Sequence, residues 1–418
     1  MRRLTIATLL FVLIAVPWLV FNYPDKAQYL VDAISSVGNQ LAAVVMHKPK
    51  TVAGLQSKYN IAAKRGTDKV KVLIVPGHEP NYGGAEFGKL KERDMTVELA
   101  ENLAQILRNN GRYEVFVTRS ADSWSPEFKE YFENEWQNIT DWQKSYKREF
   151  VNLTRITGAK PMKPVVYHNA VPERVALRLY GITKWANANE VDIVIHVHFN
   201  DYPGHPANRP GKYAGFAIYT PEQLYANSTT TRTIAESVFR RLAKYNPVSD
   251  FGPESDGIVE EPDLIAVGAY NTADAASMLV EYGYIYEPQF TNDDTRDLAL
   301  KDLAFQTYLG LQDFFGVGND HGLAYDTLLL PYNWQKELTK GNRQDKDIFV
   351  LQTAFAFGGL YPPENKSRND CPRTGTFGAC TRAALDAFQK RNGIDDEKGE
   401  VGQGTLKALN REYGGRVF

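Results

Sequence analysis

The sequence predicts an α/β domain followed by a smaller second unit. Three observations carry this. Short β-branched runs alternate with amphipathic helical stretches from Val70 to Phe315. The alternation lapses over 317–345 and a new pattern occupies the last part of the chain. The chain has 418 residues, more than one ordinary domain needs. Hydrophobic residues make up 43% and charged residues 23%, which suits a globular core. The net charge of −2 supplies no global positive field, so nucleic acid is excluded as a partner.

The chain opens with MRRLTIATLLFVLIAVPWLVF. Two arginines precede an apolar run, Leu4 to Phe21, that as a helix spans roughly 27 Å, enough for a bilayer core. The sequence after it, Phe21-Asn22-Tyr23-Pro24-Asp25, is a poor signal-peptidase site. Residues 1–24 therefore read as a membrane anchor, with a cleaved signal as the alternative. Arg2 and Arg3 stay in the cytoplasm and the remainder is exported. Residues 25–68 read as a stalk, or as a surface helix or linker.

From Val70 the elements follow in order. KVLIV (71–75) is a buried strand, and MTVELAENLAQILRN (95–109) is a helix with Met95, Leu99, Leu103 and Ile106 on one face. YEVFVT (113–118) is a second strand. A helix over about 173–189, with Val175, Leu179, Ile182 and Ala186, leads into the third strand, VDIVIHVHF (191–199). AGFAIYT (214–220), a helix through Ile234, Val238 and Leu242, ASMLVEYGY (276–284) and a helix from about Asp294 to Phe315 complete the unit, 69–316. An insert, 120–172, breaks the rhythm. Ser125-Pro126 starts a helix, and Phe128, Phe132, Trp136, Ile139, Tyr146, Phe150 and Leu153 form an apolar stripe along it. The insert reads as a helix packed on the domain, or as a lid or regulator-binding helix beside the active site. Residues 317–345 read as a linker, and 346–415 as the second unit.

The chemistry gathers at strand ends and helix starts. His78 follows the first strand, Glu92 opens the first helix, and Glu281 ends the fifth strand. His196 and His198 alternate on the third strand and share a face. Strand ends along one sheet edge are where ligands bind. Two imidazoles and a carboxylate are the ligand set of a catalytic zinc, and a second carboxylate can take a proton from its water. A loop histidine is ordinarily a surface group, and an acid at a helix start a dipole partner. Glu281 is harder to dismiss, because burying it in SMLVEYGY costs several kcal/mol unless it is paired or neutralised. Cys371 and Cys380 are a lone close pair, which outside the cytoplasm forms a disulfide; no His or third Cys accompanies them to make a metal site.

These motifs resemble the zinc-dependent N-acetylmuramoyl-L-alanine amidases that cut bacterial peptidoglycan. VLIVPGH, KERDMTVELA, VDIVIHVHFND and LVEYGYI stand in the family's order. The resemblance implies a mixed sheet flanked by helices and one zinc per chain. It makes His78, Glu92 and His198 the ligands and Glu281 the general base. His196 and Asn200 are implied as neighbours that support or face the site, and Asn187 and Arg119 also stand at family positions. Glu79 and Pro80 depart from the family by delaying the glycines after the first histidine. VLQTAFAFGGLYPP, GTFGACTRAALDAFQKRNGI and GEVGQGTLKALN resemble a three-helix peptidoglycan-binding module. The whole reads as an extracytoplasmic amidase of the bacterial cell envelope, anchored to the cytoplasmic membrane or exported, with peptidoglycan as substrate and partner. Another zinc peptidase or amidase of the wall, or a silent wall-binding scaffold, are the alternatives.

Overall fold

The computed structural model describes residues 48–415 apart from 169–170, 203, 207, 318–323, 340, 342 and 395–397. The expected anchor and the first part of the expected stalk lie outside the described residues. Among the described residues no helix is long and apolar enough to cross a membrane.

The centre is a six-stranded mixed sheet in the order β4-β1-β5-β8-β6-β7. Its strands are β1 (Val70–Pro76), β4 (Tyr113–Val117), β5 (Ile193–Asn200), β6 (Ala217–Pro221), β7 (Ile258–Glu261) and β8 (Ala276–Tyr284). β4, β1, β5 and β8 are parallel, so β1, β5 and β8 end at one edge. β6 runs antiparallel to β8, and β7 pairs with it. A two-stranded ribbon of β2 (Glu86–Phe87) and β3 (Leu90–Lys91) stands at that edge. β7 and the ribbon are too short to show a period in the sequence.

Strand alternation sorts the side chains. Val72, Ile74, Ile193, Ile195, Val197, Met278 and Val280 enter the main core. There they meet α2 (Glu92–Asn110), α5 (Ser228–Tyr245) and α6 (Asp293–Phe314) through Leu99, Leu103, Ile234, Val238, Leu300 and Leu303. Leu73, Val75 and Val194 enter a second cluster on the other face. It is closed by α3 (Pro126–Thr157) through Phe128, Phe132 and Ile139, and by α4 (Glu173–Ala188) through Tyr180 and Trp185. The insert is thus the structural cover of one sheet face. Ser125 caps α3 by accepting from Phe128 N, Pro126 sits in its first turn, and Gly158 closes it in the left-handed conformation. Its tail is pinned by two buried carboxylates: Glu222 accepts from Met162 N, and Glu261 from Val165 N and Val166 N.

Two expected boundaries move. The described end of the stalk is a helix, α1 (Val52–Arg65), docked on the domain. Its buried Tyr59 stacks on Phe315 with ring centroids 4.2 Å apart and donates to Gln312 Oε1 at 2.6 Å. The described part of the expected linker is also packed. Leu329, Leu330 and Trp334 are buried, Trp334 Nε1 donates to the Asp347 carbonyl, and Leu338 pairs with Val401.

The second unit holds α7 (Lys346–Phe357), α8 (Ala379–Asn392) and α9 (Gln403–Tyr413). Two buried glutamines hold its loops. Gln352 accepts from Thr374 N and Gly375 N and donates to Thr376 O and Thr381 Oγ1. Gln389 accepts from Gly399 N and donates to Glu400 O and Thr405 Oγ1. Cys371 and Cys380 are joined as a disulfide, Cα atoms 5.9 Å apart.

Candidate metal and catalytic centre

β1 runs into the turn Pro76-Gly77-His78. Gly77 N donates to Val197 O at 2.8 Å, which draws the turn against β5. A Cβ on Gly77 would fall 2.5 Å from the His198 ring, so only glycine lets the two segments meet. His78 takes φ +67°, the left-handed region that non-glycine residues rarely adopt. Arg119, just past β4 and 2% exposed, holds it there. Its Nε donates to His78 O at 2.9 Å, and its amino groups reach the carbonyls of Gly77, Arg93 and Ser120. The strain of such a residue, about 1–3 kcal/mol, is thereby met by a buried clamp.

Glu92 stands in the first turn of α2, where the helix dipole favours a carboxylate. Two backbone amides orient it: Ala85 N donates to Oε2 at 2.8 Å and Phe199 N to Oε1 at 3.1 Å. Burial pushes this carboxyl up, but the facing imidazoles of His78 and His198 outweigh it and hold Glu92 well below the usual carboxylate range. His198 arrives from β5 with Nδ1 3.1 Å from Glu92 Oε1. Burial lowers the His198 pKa, against the hydrogen bond to Glu92.

The ligand atoms of His78, Glu92 and His198 all lie within 4.8 Å of one another. His78 Nε2 is 2.8 Å from Glu92 Oε2 yet buried without a hydrogen bond of good geometry. An orphaned ring nitrogen, a second imidazole and an oriented carboxylate aimed at one point fit a divalent metal. Two nitrogens and one oxygen suit zinc with a fourth position open.

Glu281 lies opposite His198 in the β5–β8 register and, by alternation from Val280 in the main core, on the same face. Its Oε2 is buried without a partner. Burial, then the nearby carboxylates of Glu92 and Glu254, push its pKa well above the ordinary value. The sequence had no signal for Glu254, which lies in a short turn and is 1% exposed. It accepts from Asn200 Nδ2 at 2.9 Å, Tyr219 OH at 2.5 Å, Ser249 Oγ at 2.5 Å and Tyr284 OH at 3.2 Å. Asn200 is thus turned to this network.

His196 stands apart. It is 2% exposed, and its pKa is pushed down to about 3, first by burial and then by His198. Its depth excludes a substrate-facing role. Asn187 ties the start of β8 by donating to Thr272 O and accepting from Asp274 N.

Residues 72–312 match the family model described as N-acetylmuramoyl-L-alanine amidase, and residues 344–409 match that of a peptidoglycan binding domain. No curated protein sequence matches the chain. Among solved structures, an N-acetylmuramoyl-L-alanine amidase from Clostridium difficile 630 is 16% identical, covers 60% of this chain and 99% of its own, and has a TM-score of 0.36. Ami1 from Mycobacterium smegmatis is 15% identical over 59% of this chain and 97% of its own, with a TM-score of 0.39. AmiC2 of Nostoc punctiforme is 16% identical over 58% of this chain and 98% of its own, with a TM-score of 0.35.

Proposed function

Because the chain belongs to the N-acetylmuramoyl-L-alanine amidase family and cleaves the amide between N-acetylmuramic acid and L-alanine in peptidoglycan, we propose that it does so as a zinc enzyme held by His78, Glu92 and His198 with Glu281 as base. The convergence of those three ligand atoms within 4.8 Å carries this reading. Zinc bound there supplies Lewis acidity and a water acidified from about 15.7 towards 7. Glu281, held opposite His198 and pushed above the ordinary carboxylate range by burial, suits a proton shuttle. Its carboxylate takes a proton from the attacking water and delivers it to the departing amide nitrogen. Arg119 keeps the His78 turn in place, and the Ala85 and Phe199 amides keep the Glu92 carboxylate aimed.

Mass spectrometry of digested peptidoglycan tests the reaction. Intact glycan strands plus peptides with a free L-alanine amine are expected. Shortened peptides still attached to muramic acid would indicate a wall peptidase instead.

An enzyme acting on peptidoglycan works outside the cytoplasm, and the C-terminal module adds wall contact. The arginine-led apolar run 4–21 supports retention on the cytoplasmic membrane. N-terminal sequencing that begins downstream of Phe21 would replace the anchor by a cleaved signal. The insert 120–172 is the surface we assign to any protein regulator, since its α3 helix lines a groove together with residues 79–82 beside His78.

A further inference from the structure

A groove of about 670 Å³ opens between the 79–82 turn and the amino-terminal half of α3, with α4 as its far wall. It begins one residue beyond His78, and its volume lies in the range of ligand sites, about 300–1,000 Å³. Its aromatic lining is Tyr82, Trp124, Phe132 and Trp136. Phe132 and Trp124 pack into the second core cluster, so structure alone explains them. Trp136 is only half-buried and stands outside that cluster, and Tyr82 is 56% exposed. These two rings are offered to the groove rather than to the fold.

The polar lining is balanced. Lys129, Arg174 and Arg178 face Glu79, Asp122 and Glu133. Arg178 pairs with Glu79 through one amino group, while its Nε is buried with no partner on a side chain only 13% exposed.

We propose that this groove is a subsite for the glycan strand of the substrate, seating an N-acetylhexosamine next to the muramic acid whose amide is cut; this rests on the amidase reading above. Apolar sugar faces stack on the exposed indole and phenol rings, and the mixed-charge rim meets the hydroxyl and N-acetyl groups. A peptide stem carries free carboxylates and would require a surplus of cations, which this lining lacks.

The test uses the full chain loaded with zinc, the variants Trp136→Ala and Tyr82→Ala, and two substrates. One is uncross-linked polymeric peptidoglycan; the other is a single N-acetylmuramoyl-peptide without flanking sugars. Each variant should lower the polymer-to-monomer ratio of kcat/KM about five- to tenfold, through KM on the polymer. Calorimetric titration with peptide-free glycan strands should show Kd raised by a similar factor. Tyr82 is exposed on a turn, so its variant keeps the test sound if Trp136→Ala melts early. An unchanged ratio with unchanged glycan affinity overturns the subsite. An equal loss on both substrates overturns it too and gives the groove to the peptide stem. Wild type that cleaves neither substrate sinks the amidase reading instead, and the glycan titration then judges the groove by itself.

Discussion

At the seam between the two units, Arg373 is 2% exposed and Asp302 fully buried, their side chains 2.8 Å apart. Arg373 also donates to Tyr245 O, Thr353 Oγ1 and Asn246 Oδ1, and Asp302 accepts from Thr327 and Gln306. At the carboxyl edge of the sheet, His78 Nε2 and Glu281 Oε2 are buried with no hydrogen-bond partner. Both regions bury charge. The Arg373–Asp302 pair meets its partners within the chain, and the centre leaves His78 Nε2 and Glu281 Oε2 open beside the ligand cluster. Unmet buried polar groups cost about 1–3 kcal/mol each, so an open cluster persists where a ligand or a reaction uses it. The seam holds structure, and the centre holds chemistry.

The comparison breaks most sharply at the ligands. His198→Ala should lose zinc and activity together, by metal analysis and turnover. His196→Ala should keep near-stoichiometric zinc and lose activity only in part. The reverse pattern would redraw the ligand set.

Glu281→Gln comes next. Gln preserves the shape and cannot act as a base, so turnover should fall about 10²–10⁴-fold with zinc retained. The variant also removes a charge that burial opposes, so its melting temperature should equal or exceed that of wild type. A rate within twofold of wild type would rule Glu281 out as the base.

The seam should respond in the opposite way. Arg373→Met strands Asp302 and should cost about 3–5 kcal/mol in urea unfolding, with zinc content intact. Adding Asp302→Leu should recover much of that loss, because removing both partners leaves no stranded charge. A single variant as stable as wild type would show that the two units do not depend on this contact.

The centre was legible in the sequence and the seam was not, for a physical reason. His198 and Glu281 inherit their common face from strand alternation, and His78 and Glu92 from their places at a strand end and a helix start. These are local signals. Glu254 draws its donors from Asn200, Tyr219, Ser249 and Tyr284, mostly far away in the chain. Arg373 likewise finds Asp302 across 71 positions. No spacing rule joins such residues. The packing of the described end of the stalk and of the linker left no pattern in the sequence for a related reason. Tyr59 finds its partners in Phe315 and Gln312, and Trp334 finds Asp347 and Asn410, so anchors set singly in polar surroundings show no period.

The smallest expected effect sharpens the same contrast. The Cys371–Cys380 disulfide closes a short loop, and Arg373 lies inside it. Closing about 10 residues should stabilise the fold by roughly 2.5–3 kcal/mol through loss of unfolded-state entropy. Reduction, or the pair Cys371→Ser and Cys380→Ser, should therefore lower the urea midpoint of the second unit. It should also loosen the loop that presents Arg373 to Asp302, so the losses from Arg373→Met and from the serine pair should be less than additive. Among the described residues the His78, Glu92 and His198 cluster shares no hydrogen bond with that loop. Zinc content and turnover of a soluble muramoyl-peptide should then survive reduction. Strictly additive losses would separate the disulfide from the seam, and zinc released on reduction would show that the two regions are coupled after all.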